Sequence, residues 1–278
     1  MLRCLHWPVN TERDWRLIRE ECRPAAMQMA LDEVATETAA RGGPCTVRVY
    51  RWQDALSLGY QQEAKTVDWD ACTRQQIEVT RRQTGGGGIY HDGIGDISYS
   101  IAVPKTAVPG DLLDSYALLC EPILDAFDRM GVDATFATEK RPPRYHPACY
   151  LRAIHPAHDI VAGGRKISGN AQYRTRDGIL QHGSLSYICR PRRHLSVFQT
   201  EVSSASFRER VTSINEQTDI DRKTAVSAVE DALCEWADAV SGDRNMIADD
   251  WTADECARAT TLVQEKYGSE NWVRNRTE

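Results

Sequence analysis

Three stretches carry side chains whose types and spacing could do chemistry. Gly164-Arg165-Lys166-Ile167-Ser168-Gly169-Asn170-Ala171-Gln172 holds a lysine among small residues beside a turn, where an ammonium can meet a bound carboxylate or phosphate as a point charge. Lysine is scarce here, six residues against twenty-eight arginines, so a lysine inside such a motif is informative. The plainer alternative is a solvated hairpin lysine. Gln181-His182-Gly183-Ser184-Leu185 sets a histidine before a glycine in a strand pattern, equally compatible with a site and with a satisfied structural imidazole. Arg81-Arg82-Gln83-Thr84-Gly85-Gly86-Gly87-Gly88-Ile89-Tyr90-His91-Asp92 contains four consecutive glycines. Bare backbone of that length costs order and suits a ligand lying on main chain, with N–H groups free to donate to an anion. Arg81 and Arg82 at its entrance would offer guanidinium forks to a carboxylate or phosphate. A flexible linker is the alternative, but linkers are seldom glycine alone and so tightly flanked.

The common nucleotide loops do not fit. A phosphate-binding loop ends in Gly-Lys-Ser/Thr, where this chain has Gly88-Ile89-Tyr90, and a dinucleotide fingerprint would need glycine where His91 stands. Net charge of −6 argues against a general nucleic-acid or membrane-surface binder. The nine cysteines include no Cys-x-x-Cys pair, which fits a reducing compartment. Met1 to Pro8 has no apolar core suited to a signal peptide, and no stretch approaches a spanning helix, so a soluble, cytoplasmic protein is expected.

The elements that must position these residues read as follows. Residues 25–41 form a helix stopped by Gly42-Gly43-Pro44, and 45–50 and 55–60 are short strands. The Ile77 strand leads into the glycine run, and an alternating strand follows from Ile97 to Val103. A long helix begins after Pro109-Gly110-Asp111 and ends at Gly131, with Pro122 expected to kink or restart it. Residues 138–157, rich in Pro, His and Arg, read as a functional or mobile loop. Asp159 to Ala162, Gly163-Gly164 and Arg165 to Ile167 make a hairpin, and Asp177-Gly178 turns into a strand from Ile179 to Leu185. The last third is helical, with a Thr252/Glu255 capping box. A hydrophobic fraction of 41% is enough for an ordinary core, and no linker divides the chain, so one domain over residues 1–278 is expected.

Together the three stretches resemble the catalytic domain of the lipoate–protein ligase A family, within the biotin/lipoate ligase and octanoyltransferase superfamily. Ala26-Met27-Gln28-Met29-Ala30-Leu31-Asp32-Glu33 looks like its first helix, and Tyr50-Arg51-Trp52 with Leu56-Ser57-Leu58-Gly59 looks like its first hairpin. Glu265-Lys266-Tyr267-Gly268 with Trp272 looks like the end of the catalytic domain, so the match covers about residues 25–272. The resemblance implies an α/β (α+β) fold: a mixed β-sheet with packed helices, akin to class II synthetases. It implies that Arg82, Thr84, Gly85, Gly86, Gly87 and Gly88 line an acyl pocket, with Tyr90, His91, Asp159, Ser168, Gly169, Asn170, Ala171, His182 and Gly183 also in the binding site. Lys166 matches the family's essential lysine. The implied reaction activates lipoate or octanoate with ATP and Mg2+ to an acyl-adenylate. The acyl group then passes to a lysine of an apo lipoyl domain, in a 2-oxoacid dehydrogenase complex or the glycine cleavage H protein. A separate accessory subunit is a further implied partner; nucleic acid, membrane and a resident metal are not.

Where ligases of the family carry Asn-Asp before the lysine hairpin, this chain has His158-Asp159. Pro147-Ala148-Cys149-Tyr150 resembles the nucleophile motif of the cysteine-dependent octanoyltransferases, and the His182-Gly183 stretch leans their way. Such enzymes move octanoyl from acyl carrier protein through a cysteine thioester and use no ATP. Gly87, where those transferases usually have arginine, and the Tyr90-His91-Asp92 continuation favour a ligase. Ligation therefore stands ahead of transfer at this stage, with Cys149 a bystander whose serine variant stays active. Two readings outside these activities are weaker: zinc bound by His146, Cys149, His155 and His158, whose spacing matches no common site, and a non-catalytic lipoate or biotin carrier, which would not need Lys166.

Overall fold

A computed structural model describes residues 13–156, 158–241, 246–248 and 250–277. The Met1 to Pro8 stretch discussed above lies outside them. Strand β1 (Trp15–Arg23) leads into helix α1 (Ala25–Ala40), followed by β2 (Cys45–Trp52) and β3 (Ala55–Leu58). Helix α2 (Trp69–Arg74) and β4 (Glu78–Arg81) precede the glycine run, and β5 (Ile89–His91) and β6 (Asp96–Pro104) follow it. Then come α3 (Leu112–Arg129), β7 (Ala134–Phe136), β8 (Asp159–Ala162), β9 (Arg165–Arg174) and β10 (Gly178–Ser186). Short helices α4 (Pro191–Ser196), α5 (Ser204–Arg208) and α6 (Ile214–Gln217) lead to α7 (Arg222–Ser241), β11 (Met246–Ala248) and α8 (Ala253–Leu262).

Eight strands make a mixed sheet in the order β11-β1-β2-β6-β10-β9-β8-β7, with β1 parallel to both neighbours and the remaining pairs antiparallel. Alternation along each strand sends successive side chains to opposite faces. Val47 and Val49 of β2, with Tyr99 and Ile101 of β6, therefore meet Leu119, Ile123 and Phe127 of α3 and Val229 and Leu233 of α7. Tyr50 and Trp52 go the other way, into a cluster with Met29, Leu31 and Val34 of α1 and Ala259 and Leu262 of α8. α1 thus lies between the sheet and α8, which is why its buried residues are not confined to one stripe. The capping box at Thr252/Glu255 is formed as expected, and Glu255 doubles as the partner of buried Arg16, at 2.6 Å. Among the described residues no helix is long and apolar enough to cross a membrane.

Three features differ from expectation. β1 was not foreseen: its sequence, WRLIREECR, puts charges at inward positions, and Arg16 is buried only because Glu255 meets it. α3 runs through Pro122 as one helix. A mid-helix proline forfeits one backbone bond, but Leu119, Ile123 and Phe127 are buried on the same stretch and hold it against the sheet. Finally, β3, β4 and β5 form a separate small sheet in the order β4-β3-β5. The glycine run joins β4 to β5, the two strands on either side of β3, which takes it over the end of that strand at Gly59.

Candidate active site

A cavity opens between the small sheet, the glycine run, the loop over residues 138–156, and the starts of β8 and β9. Lys166 is the second residue of β9, and its main chain is pinned on the free side by hydrogen bonds to Arg210 and Thr212. A bulge sets Ile160 opposite Ser168 but Val161 opposite Lys166, re-aiming the lysine at the head of the strand. Its Nζ lies 2.7 Å from Asp159 Oδ1 and 3.9 Å from Cys149 Sγ, and donates to the Cys149 carbonyl at 3.3 Å. Burial works against the ammonium, but Asp159 more than offsets it and holds Lys166 protonated beyond its ordinary range. Burial likewise penalises the Asp159 carboxylate, and Lys166 overrides this, keeping the carboxyl well below its usual value.

The glycine run seats Cys149. Gly88 N donates to Pro147 O at 2.7 Å and Cys149 N to Gly88 O at 2.8 Å, a strand-like clasp between the two loops. A Cβ at Gly87 would stand 2.5 Å from Pro147 O and 2.8 Å from Cys149 N, so only glycine permits this approach. Gly86 adopts φ +97 and packs against Gly59. On the opposite side, a Cβ at Gly169 would come within 3.2 Å of Cys149 Sγ, so the sulfur rests over bare β9 backbone.

The guanidinium forks expected to face an anion are engaged with the protein itself. Arg81 donates only to main-chain carbonyls, of Gly59, Tyr60 and Gln62 and of Trp272 and Val273, and so ties the C-terminal segment to β4. Arg82 lines the cavity, but its donors reach Thr84 Oγ1 (3.1 Å), Ser57 O and Oγ (2.8 and 3.1 Å), Gly85 O (3.0 Å) and Gly87 O (2.7 Å). A guanidinium has five N–H groups, and five acceptors use them. Arg82 shapes the glycine run.

Two imidazoles brace the same guanidinium. His182 meets Asp32 through Nδ1 at 2.9 Å and Thr84 Oγ1 through Nε2 at 2.7 Å. His91 meets Asp96 through Nδ1 at 2.5 Å and Ser57 Oγ through Nε2 at 2.8 Å, and its ring stacks on Trp52 at 3.9 Å. Each Nδ1 faces a carboxylate, which only accepts, so each ring donates from Nδ1, while both hydroxyls accept from Arg82. Burial holds His91 neutral to lower pH than usual, outweighing Asp96. Burial also penalises the Asp32 carboxylate, but the His182 hydrogen bond and Arg48 at 2.9 Å more than compensate.

Of the residues singled out in the sequence, Arg82, Gly85, Gly86, His91, Cys149 and Asp159 line this cavity, as do Lys166, Gly169, Asn170, Ala171, His182 and Gly183. Thr84, Gly87, Gly88 and Ser168 stand off the wall, supporting it from behind. Tyr90 does not belong: alternation along β5 points Ile89 and His91 inward and turns Tyr90 to a small hollow on the far side, beside His194. Among the described residues no group of His, Cys, Asp or Glu side chains comes together as a metal site, and His146, Cys149, His155 and His158 do not converge. Sequence reasoning missed Met29, Tyr50 and Trp52, which look like core positions, and Ser57, Ser98 and Ser184, which carry no signal by type.

Residues 24–237 match the family model described as the lipoyl protein ligase A/B catalytic domain. Octanoyltransferase LipM of Geobacillus kaustophilus is 32% identical over 279 residues, covering 93% of this chain and 97% of its own length. Octanoyltransferase LipM of Symbiobacterium thermophilum is 32% identical over 277 residues, covering 94% and 98%. Among solved structures, lipoate-protein ligase A bound with ATP aligns with a TM-score of 0.77 at 24% identity, covering 95% of this chain and 100% of that one. The bi-partite lipoate protein ligase of Thermoplasma acidophilum aligns at 0.76 and 22%, covering 96% and 98%. At these identities the solved structures establish the shared fold.

Proposed function

The chain belongs to the lipoyl protein ligase A/B catalytic-domain family, and we propose that within it the protein is an octanoyltransferase. It would accept octanoyl from an acyl carrier protein thioester on Cys149 and pass it to a lysine of an apo lipoyl domain. The acceptor would be a domain of a 2-oxoacid dehydrogenase complex or a glycine cleavage H protein. The observation that carries this reading is the placement of Cys149 Sγ 3.9 Å from the Lys166 ammonium, on the wall of the cavity. The named relatives support it: they are octanoyltransferases, and the match spans nearly their whole length. Ligation with ATP, placed ahead by the sequence, gives Cys149 no part and leaves that juxtaposition without a use.

The chemistry follows from the geometry. An ammonium beside a sulfur balances the charge of a thiolate. The thiolate attacks the carrier thioester carbon, the carrier sulfur leaves, and Lys166 supplies the proton that makes it a thiol. Lys166, with Nζ 3.9 Å from Sγ, would also stabilise the negative charge that develops on the carbonyl oxygen. The acceptor amine then attacks octanoyl-Cys149, forming the amide and returning the cysteine to thiolate and Lys166 to ammonium. The test is to incubate the protein with octanoyl carrier protein or with lipoate, ATP and Mg2+, adding an apo lipoyl domain to each. The expected result is an octanoyl adduct on Cys149, product from the first mixture, and a dead Cys149→Ser variant. ATP-dependent product that survives Cys149→Ser would establish the ligase instead.

A further inference from the structure

Resting on the transferase reading, the second half-reaction releases one proton more than the Cys149–Lys166 pair can hold. A lysine acceptor arrives at neutral pH as an ammonium and ends as an amide N–H, so two protons leave its nitrogen. One restores Lys166, which gave its own to the carrier thiol; the sulfur departs as thiolate. If the sulfur were instead protonated, the same excess proton would have to leave before the next attack on a thioester. A third group beside the ion pair, in touch with water, can take that proton as the amine attacks. Asp159 is unsuited, being 1% exposed, bonded to Lys166 at 2.7 Å and to the His155 amide at 2.8 Å.

We propose that His158 is this group: its imidazole takes the proton from the incoming acceptor amine and hands it to water. His158 lines the same cavity as Cys149 and Lys166, yet its side chain is 35% exposed, so one ring faces both the site and solvent. Nδ1 lies 3.6 Å from Asp159 Oδ1, the oxygen that also holds Lys166, and beyond hydrogen-bond distance of it. The ring is stacked on His155 at 5.1 Å and lies against Tyr116 of α3 at 5.5 Å. Its carbonyl accepts from Asn170 Nδ2 at 2.9 Å, fixing the backbone. Asp159 on β8, Lys166 on β9, Arg152 on the cavity wall and His155 on the loop are the ionisable groups around it. An imidazole that meets both the cavity and water can take a proton from a bound amine and pass it to solvent. Asparagine, the residue that ligases of the family carry here, preserves polarity and size but cannot accept a proton.

The two half-reactions separate this role from a structural one. Octanoyl-Cys149 protein is formed from octanoyl carrier protein, then mixed with apo lipoyl domain, and each step is timed by intact mass for wild type, His158→Asn and His158→Gln. Loading is expected to be essentially unchanged, whereas transfer to the amine falls about 100-fold at pH 7. Wild-type transfer should show a pH inflection that loading lacks; the variants should lose that inflection and regain rate with added free imidazole. Unchanged transfer in the variants, or equal loss of both steps with unchanged thermal midpoints, overturns the proposal. Should both variants unfold, the wild-type profiles decide: an inflection in transfer and none in loading upholds the role, and its absence from transfer refutes it. Failure of wild type to form octanoyl-Cys149 at all overturns the transferase reading, and this proposal with it.

Discussion

Gly87→Ala tests the idea that the glycine run exists to seat the nucleophile. The added Cβ would stand 2.5 Å from Pro147 O and 2.8 Å from Cys149 N, where ordinary contact begins near 3.4 Å, a deficit of about 0.9 Å against the first. Both obstructing atoms are main chain, so no side chain can swing away, and the third neighbour, Arg152 Cδ at 2.9 Å, blocks a sideways escape. The loop bearing Cys149 must move, and the Gly88–Pro147 and Cys149–Gly88 hydrogen bonds stretch with it. Overpacking of this kind costs about 1–3 kcal/mol of stability, and a displacement near 1 Å at a reacting atom costs about 100-fold in rate. Gly85→Ala in the same run is the control, because its Cβ meets nothing within 4 Å and no positive φ is required there. Acyl-enzyme formation followed by intact mass, with thermal midpoints alongside, should show Gly87→Ala about 100-fold slow and Gly85→Ala still forming octanoyl-Cys149. Equal rates for Gly87→Ala and wild type would refute the reasoning, since the clasp would then have no bearing on the sulfur.

Two further outcomes are expected. Asp159→Asn leaves the buried Lys166 ammonium unpaired and should destabilise the fold by about 3–5 kcal/mol. Because the folded Asp159 carboxyl lies below its unfolded value and folded Lys166 above its own, the pair's contribution is present between the unfolded carboxyl and ammonium values. The gap between wild type and variant in chemical denaturation should therefore stay level from about pH 5 to 9, and a gap that closes at neutral pH would contradict it. His194 is pushed down to about 4 by burial, among the rings of Tyr90, Tyr150 and Phe207. Its folded value is depressed, so stability is lost as pH falls from about 6.5 toward 4, on the order of 3 kcal/mol. His194→Phe should flatten that part of the stability profile, and an unchanged slope would show that another group titrates there.

Much of the frame was legible because burial leaves a period in the sequence. The alternation of Val47 and Val49, and of Ile97, Tyr99 and Ile101, marked β2 and β6, and the helical spacing of Leu119, Ile123 and Phe127 marked α3. β1 escaped notice because Arg16 occupies an inward position whose partner, Glu255, lies 239 residues away, a pairing no local window contains. The site divides along the same line. Cys149, Lys166, Asp159 and the glycines announce themselves by type and local company. Met29, Trp52 and Ser57 belong to the cavity only through tertiary placement.

Arg82 and the glycine run line the cavity and also have a role that the local pattern does not show. A guanidinium beside bare backbone is the local pattern of an anion cradle, but the same groups satisfy one another when the loop folds back. Arg82 then takes the carbonyls of Gly85 and Gly87 and the hydroxyls of Ser57 and Thr84, which two imidazoles hold in turn. The run is thus both part of the cavity wall and its mounting. A ligase and a transferase can share that mounting, because both need an acyl carbonyl delivered to one lysine. Within this fold the glycine run therefore says little about which reaction is performed. The residues to compare are those placed against the lysine: a sulfur at 3.9 Å on one side, and on the other an aspartate with a partly exposed imidazole 3.6 Å from its oxygen.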